Sequence, residues 1–144
     1  MSENQKCLII EDSDVVGEIA TRIVTELGLD VRRVCDAAEG VDMCGEFAPG
    51  VILLDWDLPA FGALDFLRGV DELYDGDKPA IILCATENDP KQFALAKAAG
   101  AAYHTLKPFD VDSIRKSLID AAIIKADDAS VSSGDEPETS AAQG

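Results

Sequence analysis

The chain has 144 residues, 47% of them hydrophobic, which is enough for one core of ordinary size but not for two. Its formal net charge of −16 argues against direct binding to nucleic acid or to an anionic membrane, because such binding needs clustered Lys and Arg. No stretch approaches the ~18 consecutive apolar residues of a membrane span, and the first residues do not resemble a signal peptide, so we expect a cytoplasmic protein.

Five short runs, apolar in succession more than alternating, predict strands that are buried on both faces of a sheet. These runs cover residues 6–10, 31–35, 51–54, 80–84 and 102–106. Parallel strands of this kind need helices between them, because each crossover must return the chain to the same end of the sheet.

Segments of helical length separate the five runs. In the first segment, Val15, Ile19 and Ile23 recur every four residues. Asp14 is the predicted N-cap of this helix, and Gly28 is the predicted end. The other helices are predicted at about residues 38–47, 63–74, 89–99 and 111–124.

Five strands that alternate with five helices predict an α/β protein with a doubly wound parallel sheet. We expect this domain to span residues 5–126. From residue 127 to residue 144 the sequence is acidic and has almost no large apolar side chain, so it cannot bury enough surface to offset the entropy lost on ordering. We therefore predict a disordered acidic tail.

Charged side chains follow three of the predicted strands. Glu11 and Asp12 come after the first strand, Asp55 after the third and Lys107 after the fifth. Open parallel sheets bind ligands beyond the carboxyl ends of their strands, so we expect these groups to converge there. Short polar side chains also follow strands simply to begin turns, but four charged residues in such positions favour a site.

A cluster of carboxylates repels itself unless a cation neutralises it, and Mg²⁺ prefers oxygen ligands of this kind. With Mg²⁺ present, the Asp55 carboxylate could attack a phosphoryl group without a base, because it is already ionised. Lys107 would then hold the transferred oxygens. The sequence thus predicts a Mg²⁺ cofactor and phosphoryl-group chemistry at Asp55.

Three motifs together resemble the receiver domain of two-component response regulators. They are Leu8-Ile9-Ile10-Glu11-Asp12, Leu53-Leu54-Asp55-Trp56-Asp57-Leu58-Pro59 and Leu106-Lys107-Pro108-Phe109. The resemblance covers residues 6–125 and implies a flavodoxin-like receiver fold with strand order 2-1-3-4-5. It suggests a single-domain regulator similar to those of chemotaxis.

The same resemblance implies roles for individual residues. Asp55 would be the phosphoacceptor, and Lys107 would contact the phosphoryl oxygens. The Mg²⁺ ligands would be Glu11, Asp12, Asp55 and the backbone carbonyl of Asp57.

Partners also follow from the resemblance. A histidine kinase or a histidine phosphotransferase would donate the phosphoryl group, and an unknown protein would be the downstream target. The protein would not be a turnover enzyme, although it could hydrolyse its own phosphoaspartate. The resemblance further suggests a cis peptide bond before Pro108, a form that only X-Pro bonds adopt at low cost.

At two positions that carry the switch in receiver domains, this chain has different residues. The family has Ser or Thr at the end of the fourth strand, but counting back from Lys107 gives Ala85, with Thr86 beside it. We expect the usual hydroxyl switch to be missing, unless a local backbone shift brings Thr86 to the phosphoryl group. His104 takes the place of the aromatic switch residue, where we expect it to pack or to face solvent.

The loop after Asp55 differs as well. Receivers usually carry a glycine where this chain has Ala63, and here the glycine comes one residue earlier, at Gly62. If the backbone needs a positive φ at Ala63, that residue is strained.

Two other functions compete with a phosphorylated receiver. Residues 53–57 also resemble the first motif of haloacid-dehalogenase-like phosphatases, although that likeness does not explain Glu11 and Asp12. The alanine at position 85 suggests a receiver-like module that binds its partner without phosphorylation, although Asp55 and Lys107 are retained.

Overall fold

The computed structural model describes residues 5–125, in which five parallel strands form one sheet with helices on both faces. The strands are β1 (Lys6–Ile10), β2 (Asp30–Val34), β3 (Val51–Asp55), β4 (Ala80–Ala85) and β5 (Tyr103–Leu106), in the order β2-β1-β3-β4-β5. The helices are α1 (Asp14–Glu26), α2 (Ala37–Phe47), α3 (Gly62–Leu73), α4 (Pro90–Ala98) and α5 (Val111–Asp120). The predicted fold class and strand order are confirmed, whereas the predicted tail lies outside the described residues.

The two faces of the sheet carry separate halves of the core. Leu8 lies in the layer that packs against α2 and α3, in the same core cluster as Phe66. Its neighbour Ile9 lies in the opposite layer, with Val24 of α1. This alternation is the period of two of a strand, and full burial of each such side chain contributes about 1.5–3 kcal/mol. None of the helices in residues 5–125 has the length and apolar character needed to cross a membrane.

The N-cap of helix α1 is one residue earlier than predicted. The side chain of Ser13, not that of Asp14, accepts a hydrogen bond from the amide of Val16, at 3.3 Å. Asp14 is the first residue of the helix, where its negative charge favours the N-terminal end of the helix dipole. The prediction of Asp14 as N-cap was wrong because both residue types cap helices well and stand side by side.

The apolar stripe of α1 faces solvent at the N-terminal end of the helix and reaches the core only towards its C-terminal end. Val15 is 69% exposed and Ile19 is 44% exposed, whereas Ile23 is buried. Residues four apart are displaced by ~40° around a helix of 3.6 residues per turn, so a strict four-residue repeat drifts across the surface. The N-terminal part of the stripe therefore lies at the protein surface.

Two predicted features of the loops are corrected by the structure. The positive φ after β3 falls at Ala60, with φ of 56°, inside the 3₁₀ turn Pro59–Phe61, while Ala63 is an ordinary helical residue. The condition under which Ala63 would be strained, a positive φ at that residue, is therefore not met. Helix α5 ends at Asp120, short of the predicted end at 124, and Ala122 beyond it has φ of 62°.

Two glycines of α2 report how closely this helix packs. A Cβ at Gly40 would lie 2.7 Å from Cδ1 of Ile10 and 2.9 Å from Cε1 of Phe66, whereas one at Gly45 would meet nothing within 4 Å. We expect Gly40→Ala to lower the free energy of unfolding by about 1–3 kcal/mol through overpacking. The matched change Gly45→Ala should raise it by about 0.5–1 kcal/mol, because Ala loses less conformational entropy in a helix. Urea unfolding measures both values, and equal effects would contradict this packing.

Candidate functional site

The acidic pair after β1 places one carboxylate inside the protein and one outside. Glu11 is 4% exposed, whereas Asp12 is exposed. The amide of Glu11 donates to the carbonyl of Val34 (3.1 Å), and its Oε2 accepts from the amide of Ser13 (3.1 Å). These bonds fix the Glu11 carboxylate at the carboxyl end of β1.

Asp55 is the last residue of β3 and is 2% exposed. Its Oδ1 accepts hydrogen bonds from the amide of Asp57 (2.9 Å) and from Nζ of Lys107 (2.8 Å). Since β3 lies between β1 and β4, Asp55 is held at the centre of the sheet edge to which the charged residues were predicted to converge. A carboxylate this deeply buried needs such partners, because an unpaired charge is costly in the protein interior.

Lys107 reaches the carboxylates from the end of β5. Its Nζ lies 2.8 Å from Oδ1 of Asp55, 3.2 Å from Oε1 of Glu11 and 3.8 Å from Oδ2 of Asp57. Burial by itself lowers the pKa of Lys107, but the hydrogen bonds and charges of Asp55 and Glu11 outweigh it and raise the pKa above its ordinary value. The ammonium therefore remains charged.

One ammonium does not neutralise the carboxylates around it. Burial, a hydrogen bond that protonated Glu11 donates to Asp55, and the charge of Asp55 together raise the pKa of Glu11 to about 7. One carboxylate oxygen from each of Glu11, Asp12 and Asp55 lies within 4.8 Å of the other two. Three hard oxygen donors with excess negative charge fit Mg²⁺, which carboxylates bind at short range.

The side chains of Asp57 and Thr86 contact each other beside Asp55. The hydroxyl of Thr86 donates to Oδ2 of Asp57 at 3.2 Å, and the Thr86 side chain is exposed. Thr86 was the candidate contact for the phosphoryl group in case a backbone shift brought it there, and here its hydroxyl binds Asp57. The backbone of Asp57 follows Asp55 closely enough for its amide to bind that carboxylate.

Ala85 offers no hydroxyl at the end of β4. It is buried, pairs with Leu106 across β4 and β5, and accepts a hydrogen bond from the amide of Lys107 at 2.7 Å through its carbonyl. The next peptide bond, Lys107–Pro108, is cis. The backbone of Ala85 therefore helps to place Lys107, while its methyl group gives a phosphoryl group nothing to bind.

Two side-chain contacts attach α4 to the site. The rings of His104 and Phe93 stack with centroids 4.1 Å apart and planes at 23°. Nε1 of Trp56, the residue after Asp55, donates to Oε1 of Gln92 at 3.2 Å. These contacts were not predicted, because Phe93 and Gln92 belong to no motif.

Arg33 also contacts the acidic pair and was not predicted from the sequence. From β2, its Nε and Nη2 donate to the carbonyl oxygen of Glu11 at 3.1 Å and 2.8 Å. The one available signal was the Arg32-Arg33 pair inside a strand that the apolar pattern predicted to be buried.

Comparisons with known proteins bear on this geometry. The profile of the Response regulator receiver domain matches residues 7–119. Sporulation initiation phosphotransferase F of Bacillus subtilis is 24% identical over 115 residues, which cover 80% of this chain and 91% of that protein. A chemotaxis protein CheY homolog of Campylobacter jejuni is 26% identical over 119 residues, covering 80% and 90%.

A solved structure shows the same fold. Chemotaxis protein CheY4 of Vibrio cholerae aligns with a TM-score of 0.77 at 23% identity, covering 83% of this chain and 99% of that chain. The resemblance found in the three sequence motifs is thereby confirmed at the level of the family, since the profile match takes in Glu11, Asp12, Asp55 and Lys107 together. The chain belongs to the response regulator receiver domain family.

Proposed function

We propose that this protein is a single-domain response regulator in which Asp55 accepts a phosphoryl group from a histidine kinase or a histidine phosphotransferase. The observation that carries the proposal is the 2.8 Å contact of Lys107 Nζ with the buried Asp55 carboxylate, next to Glu11 and Asp12. Membership of the receiver family supports it. The output passes through protein contacts, without catalytic turnover.

In the proposed reaction, a carboxylate oxygen of Asp55 forms a bond to phosphorus while the P–N bond of the donor phosphohistidine breaks. The imidazole leaves with the bonding electron pair and afterwards takes up a proton. Asp55 needs no base because it is already ionised, and Lys107 compensates charge on the transferring oxygens. Glu11, Asp12, Asp55 and the Asp57 carbonyl would hold Mg²⁺, which supplies further neutralisation of those oxygens.

A receiver-like module that binds its partner without phosphorylation is the second candidate. The observation that favours it is the buried methyl group of Ala85 in place of a hydroxyl. The haloacid-dehalogenase-like alternative has no comparable support, because the receiver profile covers residues 53–57 together with Glu11 and Lys107. The domain limits of 5–126 and a cytoplasmic location stay predictions.

Asp55→Asn should abolish phosphoryl acceptance, because an amide oxygen is a poor nucleophile and the amide gives the metal less charge. We expect wild type to gain one phosphoryl group in the intact mass, and Trp56, the one tryptophan of the chain, to change fluorescence with Mg²⁺ and beryllofluoride. Asp55→Asn should show neither the added mass nor the beryllofluoride response. The matched control Asp57→Asn keeps the backbone carbonyl and should still be labelled. Labelling of Asp55→Asn would move the acceptor elsewhere, and unlabelled wild type with every kinase tried would favour the binding module.

Glu11→Gln should separate stability from metal binding. The folded state holds the Glu11 proton up to about pH 7, whereas the ordinary pKa is 4.5, so the stability of metal-free wild type falls as the pH rises through that window. Gln carries no such charge, and we expect it to raise the free energy of unfolding by at most about 3 kcal/mol above this window and by little below it.

The same substitution should weaken Mg²⁺ binding by roughly tenfold or more, because a ligand is lost. Urea unfolding in a metal chelator across this pH range measures the first effect, and a Mg²⁺ titration of Trp56 fluorescence measures the second. A stability difference that does not change with pH would contradict the proposed burial of charge at Glu11.

An exposed apolar surface lies next to the site and suits a phosphodonor protein. A small cavity of about 50 Å³ is lined by Val16, Ile19, Lys107, Pro108 and Phe109. It runs from the exposed part of α1 to Lys107. Because Lys107 lines this cavity and also contacts Asp55, a donor that brings its phosphohistidine to Asp55 comes close to this region, and exposed apolar side chains favour such an association.

Ile19→Glu should therefore slow transfer from a histidine-kinase or phosphotransferase donor by roughly tenfold, the loss typical of one good apolar contact. Labelling by a small phosphodonor such as acetyl phosphate should not change, because that molecule needs no docking surface. Leu73→Glu is the matched control, since Leu73 is equally exposed but ends α3 at the opposite end of the sheet. Equal slowing by both substitutions, or slowing with the small donor, would remove α1 from the docking surface.

A further inference from the structure

Arg33 binds the backbone of the acidic loop in an unusual way, since two of its donors share one acceptor. Nε lies 3.1 Å and Nη2 2.8 Å from the carbonyl oxygen of Glu11. The third nitrogen, Nη1, lies 3.1 Å from Asp14, whose side chain is 86% exposed. Surface ion pairs of that kind contribute little, so the charged hydrogen bonds to the carbonyl are the stronger contact.

Gly17 makes room for this guanidinium. A Cβ at Gly17 would lie 2.2 Å from Nε of Arg33 and 2.6 Å from its Cδ and Cζ, which no side chain can tolerate without movement of the arginine. The backbone of Gly17 is helical, so its φ does not require glycine. The glycine in α1 and the arginine in β2 therefore form one steric unit, although they are 16 positions apart.

The carbonyl that Arg33 binds belongs to the peptide unit between Glu11 and Asp12. On the other side, the amide of Glu11 donates to Val34 of β2, at 3.1 Å. Both peptide units flanking Glu11 are thus tied to β2, and the loop leaves the sheet in one orientation. The rotation of the bound peptide unit sets the direction in which Asp12 continues from Glu11.

We infer that Arg33 is a positioning residue, which orients Glu11 and Asp12 as metal ligands by holding the carbonyl between them. This inference rests on the proposed Mg²⁺ site. Residues that hydrogen-bond to the metal ligands without touching the metal typically change the metal affinity by ~10–100-fold when they are mutated. Arg33 would act through the backbone and need not touch the metal.

The positive charge of Arg33 makes the direction of the change in Mg²⁺ affinity informative. A guanidinium beside a cation site repels the metal, so its removal should tighten Mg²⁺ binding if Arg33 acts only through its charge. If Arg33 acts by positioning, its removal should weaken binding despite the lost repulsion. The two explanations therefore predict opposite directions for Arg33→Ala.

The experiment measures the Mg²⁺ dissociation constant from Trp56 fluorescence in the full chain, beside amide hydrogen exchange of Asp12 and Ser13 without metal. We expect Arg33→Ala and Gly17→Ala each to weaken Mg²⁺ binding by roughly tenfold and to speed exchange. Arg33→Lys keeps the charge but cannot fork across the carbonyl, so it should fall between wild type and Arg33→Ala. Asp14→Asn removes the exposed ion pair alone and should stay within about twofold of wild type.

The double variant Gly17→Ala with Arg33→Ala should bind Mg²⁺ no more weakly than Arg33→Ala, because a methyl group at position 17 then displaces nothing. Urea unfolding identifies any variant that has lost its fold. If Arg33→Ala does not fold, Gly17→Ala tests the same inference, because it displaces the Arg33 side chain. Unchanged or tighter binding in Arg33→Ala, or additive losses in the double variant, would overturn the role of Arg33 alone. Absence of Mg²⁺ binding in wild type would overturn the metal site itself, and the inference with it.

Discussion

The contact of one ammonium with two buried carboxylates is the interaction on which the rest of this site depends. Lys107 lies within hydrogen-bonding distance of both Asp55 and Glu11. A buried charge that loses its partner costs several kcal/mol, so this contact is what allows both carboxylates to stay at the carboxyl ends of their strands. Lys107 neutralises only part of the negative charge, because it provides one positive charge for two buried carboxylates and the adjacent Asp12. The charge that remains makes the site suited to bind a cation. Burial is the main cause of the raised pKa of Glu11, and the neighbouring Asp55 raises it further.

The sequence predicted those parts of the molecule that depend on neighbours along the chain. Strand β1 has the predicted limits, and each of the other strands differs by one residue at one or both ends. Burial on both faces was predicted correctly for the central strands β1, β3 and β4, whose apolar runs specify it. It was wrong for β2 and β5, because these strands lie at the edges of the sheet and are only partly covered. Glu11, Asp55 and Lys107 were placed correctly because each directly follows or ends such a run, and parallel strands bring those ends to one edge.

Features that depend on contacts across the fold could not be predicted in this way. Arg33 binds a carbonyl 22 positions away, and Trp56 binds a side chain 36 positions away. No pattern of neighbouring residues in the sequence indicates a contact over either separation. The positive φ at Ala60 could not be predicted, because no glycine stands at that position. A left-handed conformation at a non-glycine residue costs about 1–2 kcal/mol, which the surrounding turn must offset.

Because Ala85 has no hydroxyl, a change at Asp55 would have to be transmitted through other contacts, and those around α4 are suited to this. Within this helix, Ala96 is the one buried residue, so α4 depends on its cap at Asp89 and on the contacts made by Gln92 and Phe93. Each hydrogen bond contributes about 1 kcal/mol, and weakly buried elements open locally at a cost of only a few kcal/mol. Asp55 itself is bonded to Lys107 and to the amide of Asp57, and Trp56, which lies between Asp55 and Asp57 in the chain, links this turn to Gln92 of α4. A phosphoryl group could therefore alter the position of α4 without a hydroxyl at the end of β4, because the helix is already held by few and separable contacts.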